Sequence, residues 1–128
     1  MIEVEHLSVS YDGVRALDDV NLHIAPGEFV LVTGASGCGK STLARCLNGL
    51  VPHTLPAHMS GRVVVNGRVT HASTVAELAT SVGMVFQNPR TQLFNLTVAD
   101  EVAFGPRNLG LDAPEVARRV EWALEATG

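Results

Sequence analysis

The sequence predicts an α/β fold with an antiparallel β portion, and three observations carry that reading. Two stretches before residue 25 alternate apolar and polar side chains, as half-buried strands do. A short apolar run, Phe29 to Val32, feeds a glycine-rich turn and then a helical repeat. From Thr97 onward, two helix-start patterns precede amphipathic segments. A chain of 128 residues suits one small domain, or part of one.

Taken in order, IEVEHLSVSY places Ile2, Val4, Leu7, Val9 and Tyr11 on alternate positions with one slip, and Asp12-Gly13 turns the chain. VNLHI repeats the alternation at Val20, Leu22 and Ile24, and Pro26-Gly27 turns it again. Phe29 to Val32 is apolar throughout, so a strand buried on both faces is expected there. Residues 40 to 50 then hold Leu43, Leu47 and Leu50 at helical spacing, with Gly49 as a stop.

The segment from Val51 to Gly61, with Pro52 and Pro56, reads as a loop, and RVVVNGRVT as a hairpin about Asn66-Gly67. Residues 74 to 81 read as helical, and Val82 to Phe86 as another buried strand. Thr97 to Asp100 and Asp112 to Glu115 have the spacing of capping boxes. The second opens a helix that puts Val116, Val120, Ala123 and Leu124 on one face.

Composition narrows the function. A net charge of −4 supplies no electrostatic reason to expect nucleic acid as a partner. No apolar run approaches the roughly 20 residues needed to cross a bilayer. MIEVEHLSVSY carries acids where a secretory signal has a basic region, so the cytoplasm is the expected compartment. Cys38 and Cys46 lie too close together, on too helical a segment, to form a disulfide framework. Among nine basic residues, eight are Arg and only Lys40 is Lys.

That lysine stands in GASGCGKS, residues 34 to 41, which matches G-x-x-x-x-G-K-[ST] in full and has the strand-before, helix-after context the motif requires. Gly34, Gly37 and Gly39 allow backbone N–H groups to turn toward phosphate oxygens with no Cβ in the way. The whole run Gly34, Ala35, Ser36, Gly37, Cys38, Gly39, Lys40, Ser41 and Thr42 is the candidate cradle. Lys40 is expected to reach the β and γ phosphates, Ser41 to offer its hydroxyl to Mg²⁺, and Thr42 to bond a phosphate oxygen. Cys38, inside the loop and near a helix start, is a candidate reactive thiol. His53 and His58 have a spacing compatible with a metal pair, although exposed loop histidines are the simpler reading.

From SYDGVRALDD through Leu50, and again over VGMVFQNPRTQLFNLTVADEVAFGPRNLGL, the chain resembles ATP-binding cassette (ABC) proteins. VFQNP is similar to the family's Q-loop. NPRTQLF with DEVAFGPRNLGL resembles the subgroup that drives energy-coupling-factor importers of vitamins and of cobalt or nickel ions. The resemblance implies a P-loop α/β fold binding ATP and Mg²⁺, divided into a nucleotide-binding core at 1–88 and the start of a helical subdomain at 89–128. It makes Tyr11 an adenine-stacking aromatic and Gln87 the side chain that meets Mg²⁺ and the attacking water. It also implies a peripheral protein at the cytoplasmic face of a membrane. A transmembrane subunit would dock at 93–105 through Leu93, Phe94, Val98, Val102 and Phe104, and a second ATPase subunit would complete an ATP clamp. A soluble P-loop ATPase or kinase outside transport is the rival reading.

Nothing in the chain resembles the family's LSGGQ signature, its Walker B Asp-Glu or its switch His, and none of the five Asp follows a four-residue apolar run. In the family these elements follow the helix at 113–127. The sequence therefore reads as an N-terminal fragment, expected to be inactive alone, with Phe29 to Val32 and Val82 to Phe86 lacking the strand that lies between them.

Overall fold

Apolar and polar residues alternate over both early stretches, and each becomes a long strand with one face on the core. The computed structural model describes residues 1–128, residue 89 by its backbone alone. It divides into two units, Met1–Met84 and Val85–Gly128.

In the first unit, β1 (Ile2–Tyr11), β2 (Val14–Ile24), β3 (His58–Val65) and β4 (Arg68–Val69) form a sheet in the order β2-β1-β3-β4, antiparallel at every pairing. Val4, Leu7, Val9, Leu17, Val63 and Val65 point from the sheet into one core. Cys46 of α1 (Lys40–Leu47) and Val51 of the short α2 (Leu50–His53) close it from above. Burial pushes the Cys46 thiol up to about 11, because a thiolate there would lose its water. The turns at Asp12-Gly13 and Asn66-Gly67 form where expected, with all four residues at positive φ.

Three boundaries differ from expectation. β2 begins at Val14 and not at Val20, because register shifts between β1 and β2 interrupt the alternation that marks a strand in sequence. His6 and Asp19, both at φ 49°, are part of the same irregularity, which explains the slip in the first pattern. β3 starts at His58, inside the stretch read as loop: pairing with β1 extends the hairpin strand past Gly61, which sits at φ 87° hard against the His6 and Glu5 carbonyls. α1 ends at Leu47, and Leu50 opens the next turn instead.

The largest correction concerns the two runs read as buried strands. Residues 29–32 and 82–86 are in neither helix nor strand, and Phe29, Val30, Leu31, Val32, Val85 and Phe86 are all exposed. A strand exists only with a ladder partner, and among the described residues neither run has one. α3 (Val75–Ala79) falls within the predicted helix. Its start is a full capping box: the Thr74 hydroxyl accepts from the Glu77 N–H while the Glu77 carboxylate accepts from the Thr74 N–H.

The second unit holds α4 (Val98–Asn108) and α5 (Ala113–Thr127). Thr97 caps α4 by accepting from the Asp100 N–H, and Asp112 caps α5 by accepting from the Glu115 N–H at 3.0 Å. The α5 cap is half a box, because the Glu115 carboxylate turns forward to Arg118 and Arg119 instead of back to Asp112. Ala103 and Val116 are the buried contacts of the pair, and Val120, Ala123 and Leu124 are half-buried on the expected face.

Candidate functional site

Three glycines at positive φ shape the loop: Gly34 at 148°, Gly37 at 81° and Gly39 at 95°. Gly39 is held by more than its dihedral. A Cβ there would meet the Ala16 carbonyl oxygen and lie 2.7 Å from Leu17 Cδ2, so the loop rests directly on β2. A Cβ on Gly34 would stand 2.8 Å from Cys38 Sγ, whereas Gly37 has open space around it. Within the loop the Cys38 N–H donates to the Ala35 carbonyl, closing a turn.

Lys40 reaches back onto the loop. Its ammonium donates to the Gly34 carbonyl at 2.8 Å and the Ala35 carbonyl at 2.7 Å, with Cys38 Sγ 3.5 Å away. The only lysine of the chain is therefore folded onto the loop itself. α1 begins here without a side-chain cap and with no acidic residue in its first turn. Among the described residues, the N–H groups of Gly39, Lys40, Ser41 and Thr42 have no acceptor. Four free donors, a helix dipole and an ammonium form a donor set that fits a phosphate chain and does not fit a cation. Ser41 is exposed, whereas Thr42 is buried under the loop.

For a metal the fit rests on fewer groups. Among the described residues no three His, Cys, Asp or Glu side chains converge. Ser41 offers one hydroxyl, and Gln87, exposed in a bend, belongs to the other unit. The His53 ring donates to the Thr70 carbonyl at 3.0 Å, and His58 opens β3. Tyr11 is half-buried against the core cluster, and its hydroxyl is buried with no partner among the described residues. The site residues that sequence reading missed are Ala16 and Leu17, the seat of Gly39. Nothing local marks them, because that contact joins residues more than twenty apart.

Comparison with known proteins supplies a family. A family model described as ABC transporter matches residues 17–128. A putative ABC transporter ATP-binding protein of Methanosarcina mazei is 52% identical over 128 residues, covering 98% of this chain and 22% of its own length. A similarly named protein of Pyrococcus abyssi is 50% identical over 127 residues, covering 98% of this chain and 45% of its own. Among solved structures, cbiO1 from Clostridium perfringens, described as part of the ABC transporter complex cbiONQ, matches with a TM-score of 0.81 at 38% identity. The match covers 99% of this chain and 50% of that one. A dimeric ATP-binding cassette in a post-hydrolysis state, bound to ADP and Pi, matches with a TM-score of 0.75 at 26% identity, over 98% of this chain and 56% of that one. The chain thus spans less than half the length of these two curated relatives.

Proposed function

Because the chain belongs to the ABC transporter family, with the fold of its P-loop ATPase domains, we propose that it is the ATP-binding part of a transport ATPase subunit. In this reading the whole protein couples ATP binding and hydrolysis to import of a small solute, a vitamin or a cobalt or nickel ion. The observation that carries the ATP reading is the loop at residues 34–42: unpaired N–H groups, three glycines at positive φ and one lysine folded onto the same loop. The importer reading is supported by the likeness to cbiO1 and by the NPRTQLF and DEVAFGPRNLGL stretches.

The roles follow from the chemistry of each group. Backbone N–H groups of residues 39–42 would bind phosphate oxygens, and Lys40 would leave the Gly34 and Ala35 carbonyls to meet the β and γ phosphates. Ser41 and Gln87 would hold Mg²⁺, which when bound neutralises charge on the phosphate oxygens. Gln87 would also orient the attacking water. Tyr11 would stack on adenine, a role its half-buried ring limits to one exposed portion. Residues 1–88 would form the nucleotide-binding core and 89–128 the start of a helical subdomain.

Partners follow the same reading. The protein would lie at the cytoplasmic face of the membrane, bound to a transmembrane subunit through residues 93–105, and pair with a second ATPase subunit. Among the described residues no helix is long and apolar enough to cross a membrane. Leu93, Phe94, Val98 and Phe104 are exposed in that stretch, together with Leu96, which the sequence pattern passes over. Phe94 and Phe104 stack edge to face, ring centres 4.8 Å apart, so the patch has internal rigidity. Phe94→Asp should abolish transport while leaving ATP affinity within about twofold; full transport would remove the docking role.

Lys40→Ala tests the core of the proposal. Losing a charged hydrogen bond worth about 1.5–3 kcal/mol should weaken ATP binding by the full-length protein roughly 10- to 150-fold. Equal affinities would end the phosphate reading. For residues 1–128 alone, phosphate release no faster than in the Lys40→Ala control is expected, since none of the chain's Asp residues follows an apolar strand pattern.

A further inference from the structure

The outer face of the sheet, turned away from the core, carries a second cluster of hydrogen-bond donors. Along β1, Val9 enters the core, so by strand alternation Ser8 and Ser10 face outward; on β3, Met59 packs against the core and leaves His58 and Ser60 outside. Register brings them together. Ser8 lies opposite Ser60, and Ser10 stands between His58 on β3 and Arg15 on β2.

A bulge completes the arrangement. Val9 pairs with Leu17 and Ser10 with Arg15, so Ala16 has no opposite residue and Arg15 returns to the face of Ser10. The five side chains line a concavity of about 270 Å³. At ~30 Å³ per water, that is room for a ligand the size of roughly nine waters.

The chemistry of the lining selects the charge of the occupant. No carboxylate lines the concavity. Ser8 Oγ accepts the Asp19 N–H at 2.9 Å, which leaves its own hydrogen free to donate. Arg15 Nη1 donates to Asp18 at 2.7 Å; its other N–H groups have no acceptor among the described residues. Ser10, Ser60 and His58 have no side-chain partner among them either. Three hydroxyls, a guanidinium and an imidazole aimed at one hollow favour an oxyanion and disfavour a cation.

We propose that this outer face binds a small oxyanion, a phosphate or carboxylate group on a compact molecule, at a site separate from the glycine loop. α1 and the loop's helix start pack on the opposite, core-facing side of the sheet, through Cys46 and Leu43. The two sites therefore do not compete for one ligand.

The test uses the full-length protein saturated with a non-hydrolysable ATP analogue, so that the β and γ phosphate positions of the glycine loop are both filled, and equilibrium dialysis of radiolabelled inorganic phosphate against chloride at matched ionic strength. One saturable phosphate per chain is expected, weakened about tenfold or more in Arg15→Gln and in the double variant Ser10→Ala with Ser60→Ala. Both variants alter exposed or half-exposed side chains, and a circular dichroism spectrum matching the unmodified protein shows that they fold. Acetate distinguishes the two groups: binding tighter than phosphate assigns a carboxylate, and weaker binding a phosphate. Absence of saturable binding to the analogue-filled protein, or phosphate affinity unchanged in Arg15→Gln, would overturn the proposal.

Discussion

Val63, Val64 and Val65 are 0%, 5% and 3% exposed, whereas Phe29, Val30, Leu31 and Val32, no less apolar, are 91%, 37%, 76% and 48% exposed. Both runs lie in the same unit. The first is hydrogen-bonded to β1 along one edge and to β4 along the other, with its inward side chains on the core. The second has no ladder on either edge among the described residues. Composition sets what a strand could gain by burial, up to about 1.5–3 kcal/mol for each large apolar side chain. A partner decides whether the gain is realised. Exposed runs of this kind, with unpaired backbone edges, favour association with other strands.

The sharpest way to break the comparison is to truncate one leucine in each setting. Leu7, fully enclosed by the sheet core, should lose about 2–5 kcal/mol on Leu7→Ala, from lost burial and the cavity left behind. Leu31→Ala should change stability by no more than about 0.5 kcal/mol. Urea unfolding of the same chain measures both. A comparable loss at Leu31 would show that residues 29–32 are covered in solution.

Glycine gives the next largest contrast, again between an enclosed and an open position. Gly39→Ala meets the Ala16 carbonyl and Leu17, and adds the left-handed strain of φ 95°. Overpacking of about 1–3 kcal/mol and roughly 1–2 kcal/mol of strain are expected, with loss of nucleotide binding. Gly37→Ala carries only the strain of φ 81°, because nothing lies near the added methyl. Equal melting points for the two variants would dismiss β2 as the loop's seat.

The same contrast governs the thiols. Cys38 is exposed beside Lys40 and should be alkylated readily, at a rate slowed by MgATP; Cys46 is buried and should react only as the chain unfolds. Because burial raises Cys46 to about 11, its contribution to stability is full below the unfolded thiol range near 8.5 and fades as pH rises toward 11. Mass spectrometry of the labelled positions checks the order. Nucleotide-indifferent labelling of Cys38 would count against its place beside bound phosphate.

Local signals were legible in the sequence and long-range ones were not. Asp12-Gly13, Asn66-Gly67, Thr97 and Asp112 each act within four residues, so their turns and caps could be read directly. The start of β2 was hidden because bulges break its period, and the start of β3 because prolines and glycine resemble a loop until β1 supplies a partner. At the candidate site the glycine spacing was readable for the same local reason. The seat at Ala16 and Leu17 depended on tertiary contact, and so did the turning of Lys40 onto the Gly34 and Ala35 carbonyls.

The smallest expected effect lies at α5, where exposure leaves only electrostatics to act. Hydrogen bonds from Arg118, and then Arg119, bring the Glu115 carboxyl from its ordinary 4.5 to about 2. The guanidinium bonds are 2.7 and 2.8 Å from Arg118 and 2.7 Å from Arg119, and the acid sits in the first turn, where the helix dipole also favours a negative charge. A depressed folded-state value means that this contribution is present above about pH 4.5 and lost as pH falls toward 2. Amide exchange at residues 116–119 should therefore accelerate over that interval relative to the intrinsic rate. In Glu115→Gln it should be modestly faster at neutral pH and nearly flat below it. Identical profiles for the two proteins would show that α5 is held by Val116 and its packing alone.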